Sequence, residues 1–177
     1  FVPNTPRYIE PDHANAIMRQ IPPLVVTIGL FADADSAQIQ EVATNCRLDA
    51  IQLHGNEPPE LCHSLNLRVI KAFRVKGNET LNILPKFQVD AYLLDAYVKG
   101  KLGGTGETFD WNLACRAKQY GQIILAGGLN PSNVSTAISQ VKPYAVDVSS
   151  GVEAEPGRKD PEKVRDFIRT VRETDLS

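Results

Sequence analysis

Two loops rich in small hydrogen-bond donors lie near the end of the chain. One is Ala126-Gly127-Gly128-Leu129-Asn130-Pro131, the other Val146-Asp147-Val148-Ser149-Ser150-Gly151. Each follows an apolar run, Gln122 to Ala126 and Tyr144 to Val148, of strand length. Paired glycines let backbone N–H groups approach a ligand without interference from a Cβ. Asn130 suits an N-cap and Pro131 a first helical position, so a helix is expected to open at once, its free amides and positive dipole end beside Gly127 and Gly128. With the hydroxyls of Ser149 and Ser150 and the bare backbone of Gly151, the two loops read as a phosphate cradle. The plain alternative is that both are turn punctuation between strands and helices.

Other residues could act on a ligand held there. Asp95 ends the run Ala91-Tyr92-Leu93-Leu94, which places a carboxyl at a strand end with an apolar wall behind it. Such a setting can hold an acid protonated and ready to donate, although an Asp at a strand end also bonds its own loop. Asp147, flanked by Val146 and Val148, is expected to be less exposed and to orient a neighbour or accept a substrate hydroxyl. His54, alone at a strand end, is a substrate hydrogen-bond donor at most. Lys71, between Ile70 and Ala72, could form a Schiff base, but a buried lysine held by carboxylates is the preferred reading. Arg7 stands between Pro6 and Tyr8 in an opening loop. Cys46, Cys62 and Cys115 are odd in number and widely spaced, and His13, His54 and His63 are scattered, so neither a disulfide framework nor a metal site follows.

These residues need elements to carry them. Pro11 starts a helix with a stripe of Ala14, Ile17, Met18 and Ile21, stopped by Pro22-Pro23. Leu24 to Phe31 is a continuous apolar run suited to a strand buried on both faces. Asp35 or Ser36 then caps a helix with Ile39, Val42, Ala43 and Cys46 on one side. The pairing recurs: strand Ala50 to Leu53 with helix Glu57 to Leu65, strand Arg68 to Val75 with helix Glu79 to Leu84, and strand Asp90 to Asp95. A glycine-rich loop from Ala96 to Asp110 follows, a lid or plain surface. Asp110 caps a helix holding Trp111, Leu113, Ala114 and Ala117. The Gln122 strand is followed by a helix with Val134, Ala137, Ile138 and Val141, and the Tyr144 strand by one opened at Asp160-Pro161 with Val164, Phe167, Ile168 and Val171. Six strand–helix pairs without hairpin signals predict a parallel sheet with crossover helices, either an open doubly wound sheet or a barrel. His54, Arg74, Asp95, Gly127-Gly128 and Asp147 all fall near C-terminal strand ends. In a barrel those ends meet around one mouth and the last two strands hold phosphate, which favours the barrel.

A length of 177 residues suits one domain, residues 1–177, and 42% hydrophobic with 23% charged residues is ordinary for a soluble globular chain. The net charge of −2 gives no support for nucleic-acid or anionic-membrane partners. No apolar run is of bilayer length and no basic-then-apolar leader opens the sequence, so a cytoplasmic, reducing setting is expected.

The strings PRYI (Pro6 to Ile9), DAIQLHG (Asp49 to Gly55), VIKAFRV (Val69 to Val75), LLDAYVKGKLGGTGETFDW (Leu93 to Trp111), ILAGGLNPSNV (Ile124 to Val134) and DVSSGVEAEPGRKD (Asp147 to Asp160) closely resemble phosphoribosylanthranilate isomerases. The resemblance is collinear from Phe1 to about Arg172. It implies a (β/α)8 TIM barrel, incomplete here with six strand–helix units, and a cofactor-free Amadori rearrangement of N-(5-phosphoribosyl)anthranilate in tryptophan biosynthesis. It further implies that Asp95 is the general acid, that Arg7 faces the anthranilate carboxylate, and that His54 and Asp147 line the substrate. Gly127, Gly128, Ser149, Ser150 and Gly151 would hold the phosphate. The partner is a small phosphorylated substrate, and the enzyme a monomer or homodimer.

Members of this family carry a lysine-isoleucine-cysteine-glycine-isoleucine-threonine motif in their first strand, whose cysteine is the general base. That motif is not among these 177 residues, which begin where the family's second strand ends. The helical positions of Cys46, Cys62 and Cys115 do not let them replace it. The expectation is a part of a longer chain, short of its base by itself, with unpaired apolar edges at Leu24 to Phe31 and Tyr144 to Val148 that favour aggregation. The alternative function is a non-catalytic, phosphate-binding barrel remnant.

Overall fold

A computed structural model of the protein describes residues 1–96 and 109–175. Residues 97–108 of the glycine-rich loop expected as a lid or plain surface lie outside the described residues. Six parallel strands follow one another in sheet order as in sequence, and a separate two-stranded antiparallel ribbon stands apart from them. The described residues group into two compact units, Phe1–Ala72 with Lys86–Ala91, and Phe73–Pro85 with the chain from Tyr92 onward.

The first unit contains α1 (Pro11–Met18), β1 (Ile28–Phe31), α2 (Ser36–Cys46), β2 (Ala50–Leu53), α3 (Pro59–Ser64) and most of β3 (Arg68–Val75). Parallel register sets Phe31 beside Leu53 and Leu53 beside Lys71. Asp35 caps α2, its carboxylate accepting the Gln38 amide at 2.8 Å, and Ile39, Val42, Ala43 and Cys46 are all buried, as their spacing predicts. Two expectations fail at the outer edge. The strand foreseen from Leu24 begins only at Ile28, with Leu24 96% exposed, and β1 is buried on one face rather than both. A strand with a neighbour on one side has less to cover it, and the residues after Pro22 turn instead of extending. For the same reason only Ala14 of the α1 stripe is buried, and Ile17 is exposed.

An aspartate just ahead of a strand fixes the entry of the neighbouring one. Asp49, one residue before β2, accepts the amide and hydroxyl of Thr27 at 2.7 and 2.8 Å; Asp90 accepts the Val69 amide at 2.7 Å. Both tie strand entries in register, on which the alignment of the C-terminal ends depends. The Thr27 amide, then its hydroxyl, hold the Asp49 carboxyl below the usual carboxylate range. Its folded-state value is depressed, so the stabilisation is complete above the unfolded value of about 3.9 and is lost as pH falls through the folded value. Asp49→Asn is therefore expected to lower the melting temperature by roughly a few degrees at pH 7, with the two proteins converging in a thermal-melt series as pH falls through the depressed folded value.

The second unit contains the end of β3, α4 (Asn78–Ile83), β4 (Ala91–Ala96), α5 (Trp111–Ala117), β5 (Ile123–Leu125), α6 (Val134–Val141), β6 (Ala145–Val146), β7 (Glu153–Glu155), β8 (Arg158–Lys159) and α7 (Pro161–Asp175). Leu93, Leu94, Ile123, Leu125, Val134 and Val141 are its buried centre. Asp110 caps α5 through the Asn112 amide, and Asp160 caps α7 through those of Glu162 and Lys163. Three readings are corrected here. A hairpin does occur: β7 and β8 pair antiparallel around Pro156-Gly157, where Gly157 takes φ +86°. Ile168, expected in the buried stripe of α7, is exposed. The last parallel strand is two residues rather than five, and Tyr144 ahead of it is 68% exposed.

Candidate active site

Asp95 is the fifth residue of β4 and is buried. Leu94 and Leu125 are register partners in β4 and β5, so the chain leaves β5 alongside this carboxyl. Gly127 follows at φ +79°, a conformation side chains rarely adopt. A Cβ built on it would overlap the Ala96 amide nitrogen and stand 2.8 Å from Asp95 Oδ1. Asp95 and Gly127 are therefore immediate neighbours. Gly151 joins the second loop to the first, since a Cβ there would overlap the Leu129 carbonyl and lie 3.1 Å from the Asn130 Cβ.

A loop that binds an anion must point amides toward it and carbonyls away. Side chains engage the carbonyls in both loops. Gly128 O accepts Asn133 Nδ2 at 2.9 Å and Asn130 Nδ2 at 3.3 Å. Ser149 O accepts Lys159 Nζ at 2.9 Å, and Glu153 Oε1 holds that ammonium at 2.8 Å, so the hairpin braces the serine loop. Neither Asn133 nor Lys159 was given a role by sequence; the Asn-x-x-Asn spacing of 130 and 133 was the available signal.

The helix after the glycines starts later than expected. Asn130 Oδ1 accepts the Ser132 amide at 2.8 Å and caps a turn, Pro131 lies in that turn, and α6 begins at Val134. Asn133 accounts for the delay: its Oδ1 takes the Asn130 amide at 2.8 Å while its Nδ2 holds Gly128 O. A capped turn, and not a helix terminus, therefore follows the two glycines. Asp147 also departs from expectation. It is exposed rather than sheltered by its valines, because β6 is a short outer strand, and its amide donates to Leu125 O at 2.8 Å. Arg74, at the end of β3, has a buried Nε without a hydrogen-bond partner among the described residues.

In the first unit, His54 follows β2, its ring Nδ1 3.1 Å from Gln52 Nε2. Lys71 is held by a carboxylate as preferred, 3.0 Å from Glu57 Oε2. Its register partner is Leu53, so it occupies the opposite face of the sheet from Gln52. Arg7 is exposed in the opening loop. Cys46, Cys62 and Cys115 are free thiols on helices, and burial pushes those of Cys46 and Cys62 up. Among the described residues no group of three His, Cys, Asp or Glu side chains could hold a metal ion, and no helix is long and apolar enough to cross a membrane.

Parallel strands joined by helices, with a buried carboxyl near a C-terminal strand end beside a glycine-rich loop, define an α/β enzyme of the TIM-barrel class. A family model described as N-(5'-phosphoribosyl)anthranilate (PRA) isomerase matches residues 1–170. The isomerase of Geobacter sp. (strain M21) is 55% identical over 168 residues, 95% of this chain and 82% of the relative. The crystal structure of phosphoribosyl anthranilate isomerase from Thermotoga maritima superposes with a TM-score of 0.89 at 40% identity, covering 98% of this chain and 85% of that one. A structure of such an isomerase with reduced 1-(o-carboxyphenylamino)-1-deoxyribulose 5-phosphate gives 0.85 at 39% identity, covering 98% and 84%. The chain belongs to the N-(5'-phosphoribosyl)anthranilate isomerase family, intramolecular oxidoreductases of tryptophan biosynthesis.

Proposed function

We propose that Asp95 is the general acid of the isomerisation and that the loops at Gly127-Gly128 and Ser149-Ser150-Gly151 hold the substrate's phosphate beside it. The observation that carries this reading is the 2.8 Å between Asp95 Oδ1 and the Cβ that Gly127 lacks. Asp95 gives its proton to the ribose ring oxygen as the bond from that oxygen to C1 breaks. The anthranilate nitrogen supplies the electron pair that makes C1 an iminium. A base then takes the C2 proton, the role the family resemblance gives to a cysteine in a motif that is not among these 177 residues, and the resulting enolamine tautomerises to the ketose. The acid is needed where negative charge develops on the departing ring oxygen.

Arg7 pairs with the anthranilate carboxylate through the planar donor fork of its guanidinium. His54 and Asp147 line the substrate and accept or donate to its hydroxyls. Affinity for the reduced product analogue tests these assignments. Arg7→Ala is expected to weaken the analogue about 10- to 100-fold, the range for a hydrogen-bonded charge, and removal of the analogue's phosphate by at least as much. Calorimetric titration showing equal affinity with and without the phosphate would refute the cradle; unchanged affinity in Arg7→Ala would remove Arg7.

A further inference from the structure

The proposed chemistry leaves unused a buried charge pair beside His54. The side chains of Glu57 and Lys71 are 1% and 3% exposed. Taking two charges out of water costs more than their attraction returns unless further hydrogen bonds complete the pair. Here the completing bonds fall on the residues either side of His54. Lys71 Nζ donates to Leu53 O at 3.3 Å, Gly55 O at 3.0 Å and Ala72 O at 3.1 Å. Both oxygens of Glu57 accept the Gly55 amide, at 3.1 and 3.0 Å, and Oε1 also accepts the Asp33 amide at 2.9 Å.

Asp33 closes the arrangement. Its Oδ1 accepts the Asn56 amide at 2.6 Å, and a Cβ on Gly55 would stand 2.5 Å from both the Asp33 amide nitrogen and Oδ1. The His54 amide donates to Phe31 O at 2.8 Å. An apolar pair could fill the same volume, but it would take these partners from the Asp33 and Gly55 amides and the three carbonyls, and would not fix the direction of the peptide groups at 53 and 55.

We propose that Asp33, Glu57 and Lys71 form a positioning clamp that holds the His54 ring in the orientation in which it meets the substrate. The inference rests on His54 being a substrate contact. The three residues act through His54 and are positioning residues.

The test is a mutant cycle in the full protein, read as KM, kcat and melting temperature. Glu57→Gln combined with Lys71→Met removes both charges at similar volume. It is expected to raise KM about tenfold with kcat nearly unchanged. Adding His54→Ala to it should raise KM no further than His54→Ala does alone. Asp33→Gly, which suits the φ of +57° and removes only the Asn56 contact, is expected to raise KM about threefold and to lose that effect in the His54→Ala background. It decides the matter where the charge-free pair does not fold. Wild-type KM in a folded clamp variant, or effects that multiply fully with that of His54→Ala, would overturn the clamp. Wild-type KM in His54→Ala alone would instead overturn the reading of His54 on which the clamp depends.

Discussion

In the complete gene product, Asp95→Asn is expected to lower kcat by about 10²- to 10⁴-fold while the reduced product analogue binds within about threefold of wild type. Asparagine keeps the shape of the side chain and a hydrogen-bond donor, so it can still stand beside Gly127 and a bound ligand. It has no proton to transfer to the ring oxygen, and the buried position gives bulk water poor access to take its place. The loss corresponds to about 3–5 kcal/mol of transition-state stabilisation and should appear equally in kcat and kcat/KM, the pattern of an interaction made only in the transition state. Steady-state turnover and calorimetric titration of the analogue separate the outcomes. Unchanged turnover would remove Asp95 from the mechanism. Parallel loss of turnover, analogue binding and melting temperature would make it a structural residue of the β4–β5 junction.

Features governed by local rules were legible in the sequence. The caps at Asp35, Asp110 and Asp160 involve a side chain and an amide two or three residues on, and all three stand where the pattern put them. The strand ending in Asp95 and the stripe of α2 were equally readable, because both lie within a sheet or under a helix that repeats one period. What failed depended on neighbours. The run from Leu24 is apolar throughout, but whether an apolar residue is covered is decided by what stands next to it, and β1 is an outer strand. The same holds for Asp147, which follows the other outer strand directly after Val146. At Asn130-Pro131 the helix-start signal was real but lost to Asn133, whose amide satisfies both Asn130 N and Gly128 O. A carboxylate partner for Lys71 was readable from its buried position, but which one was not, nor the bond from the Asp33 amide to Glu57, because these join residues 14 and 24 positions apart that separately read as loop or helix-end charges.

Gly127→Ala is expected to lower the melting temperature by roughly 5–15 °C and kcat/KM by at least about 10²-fold. Two penalties coincide at this residue. An alanine at φ +79° costs about 1 kcal/mol, and its Cβ would overlap the Ala96 amide nitrogen, a backbone atom that no rotamer change can move. Overpacking of this kind adds about 1–3 kcal/mol, and relief requires the turn after β5 to withdraw from the end of β4. That movement separates Gly127 from Asp95, so on the proposed function acid and phosphate site no longer address one substrate together. Gly77→Ala is the control: φ is +140° and a Cβ would meet nothing within 4 Å, so it carries the conformational cost without the collision. It should lose stability by about 1 kcal/mol and keep its kcat/KM. Equal kinetic damage in both variants would mean that backbone strain alone explains the effect; a Gly127→Ala protein with wild-type kinetics would mean that the acid does not depend on the closeness of that loop.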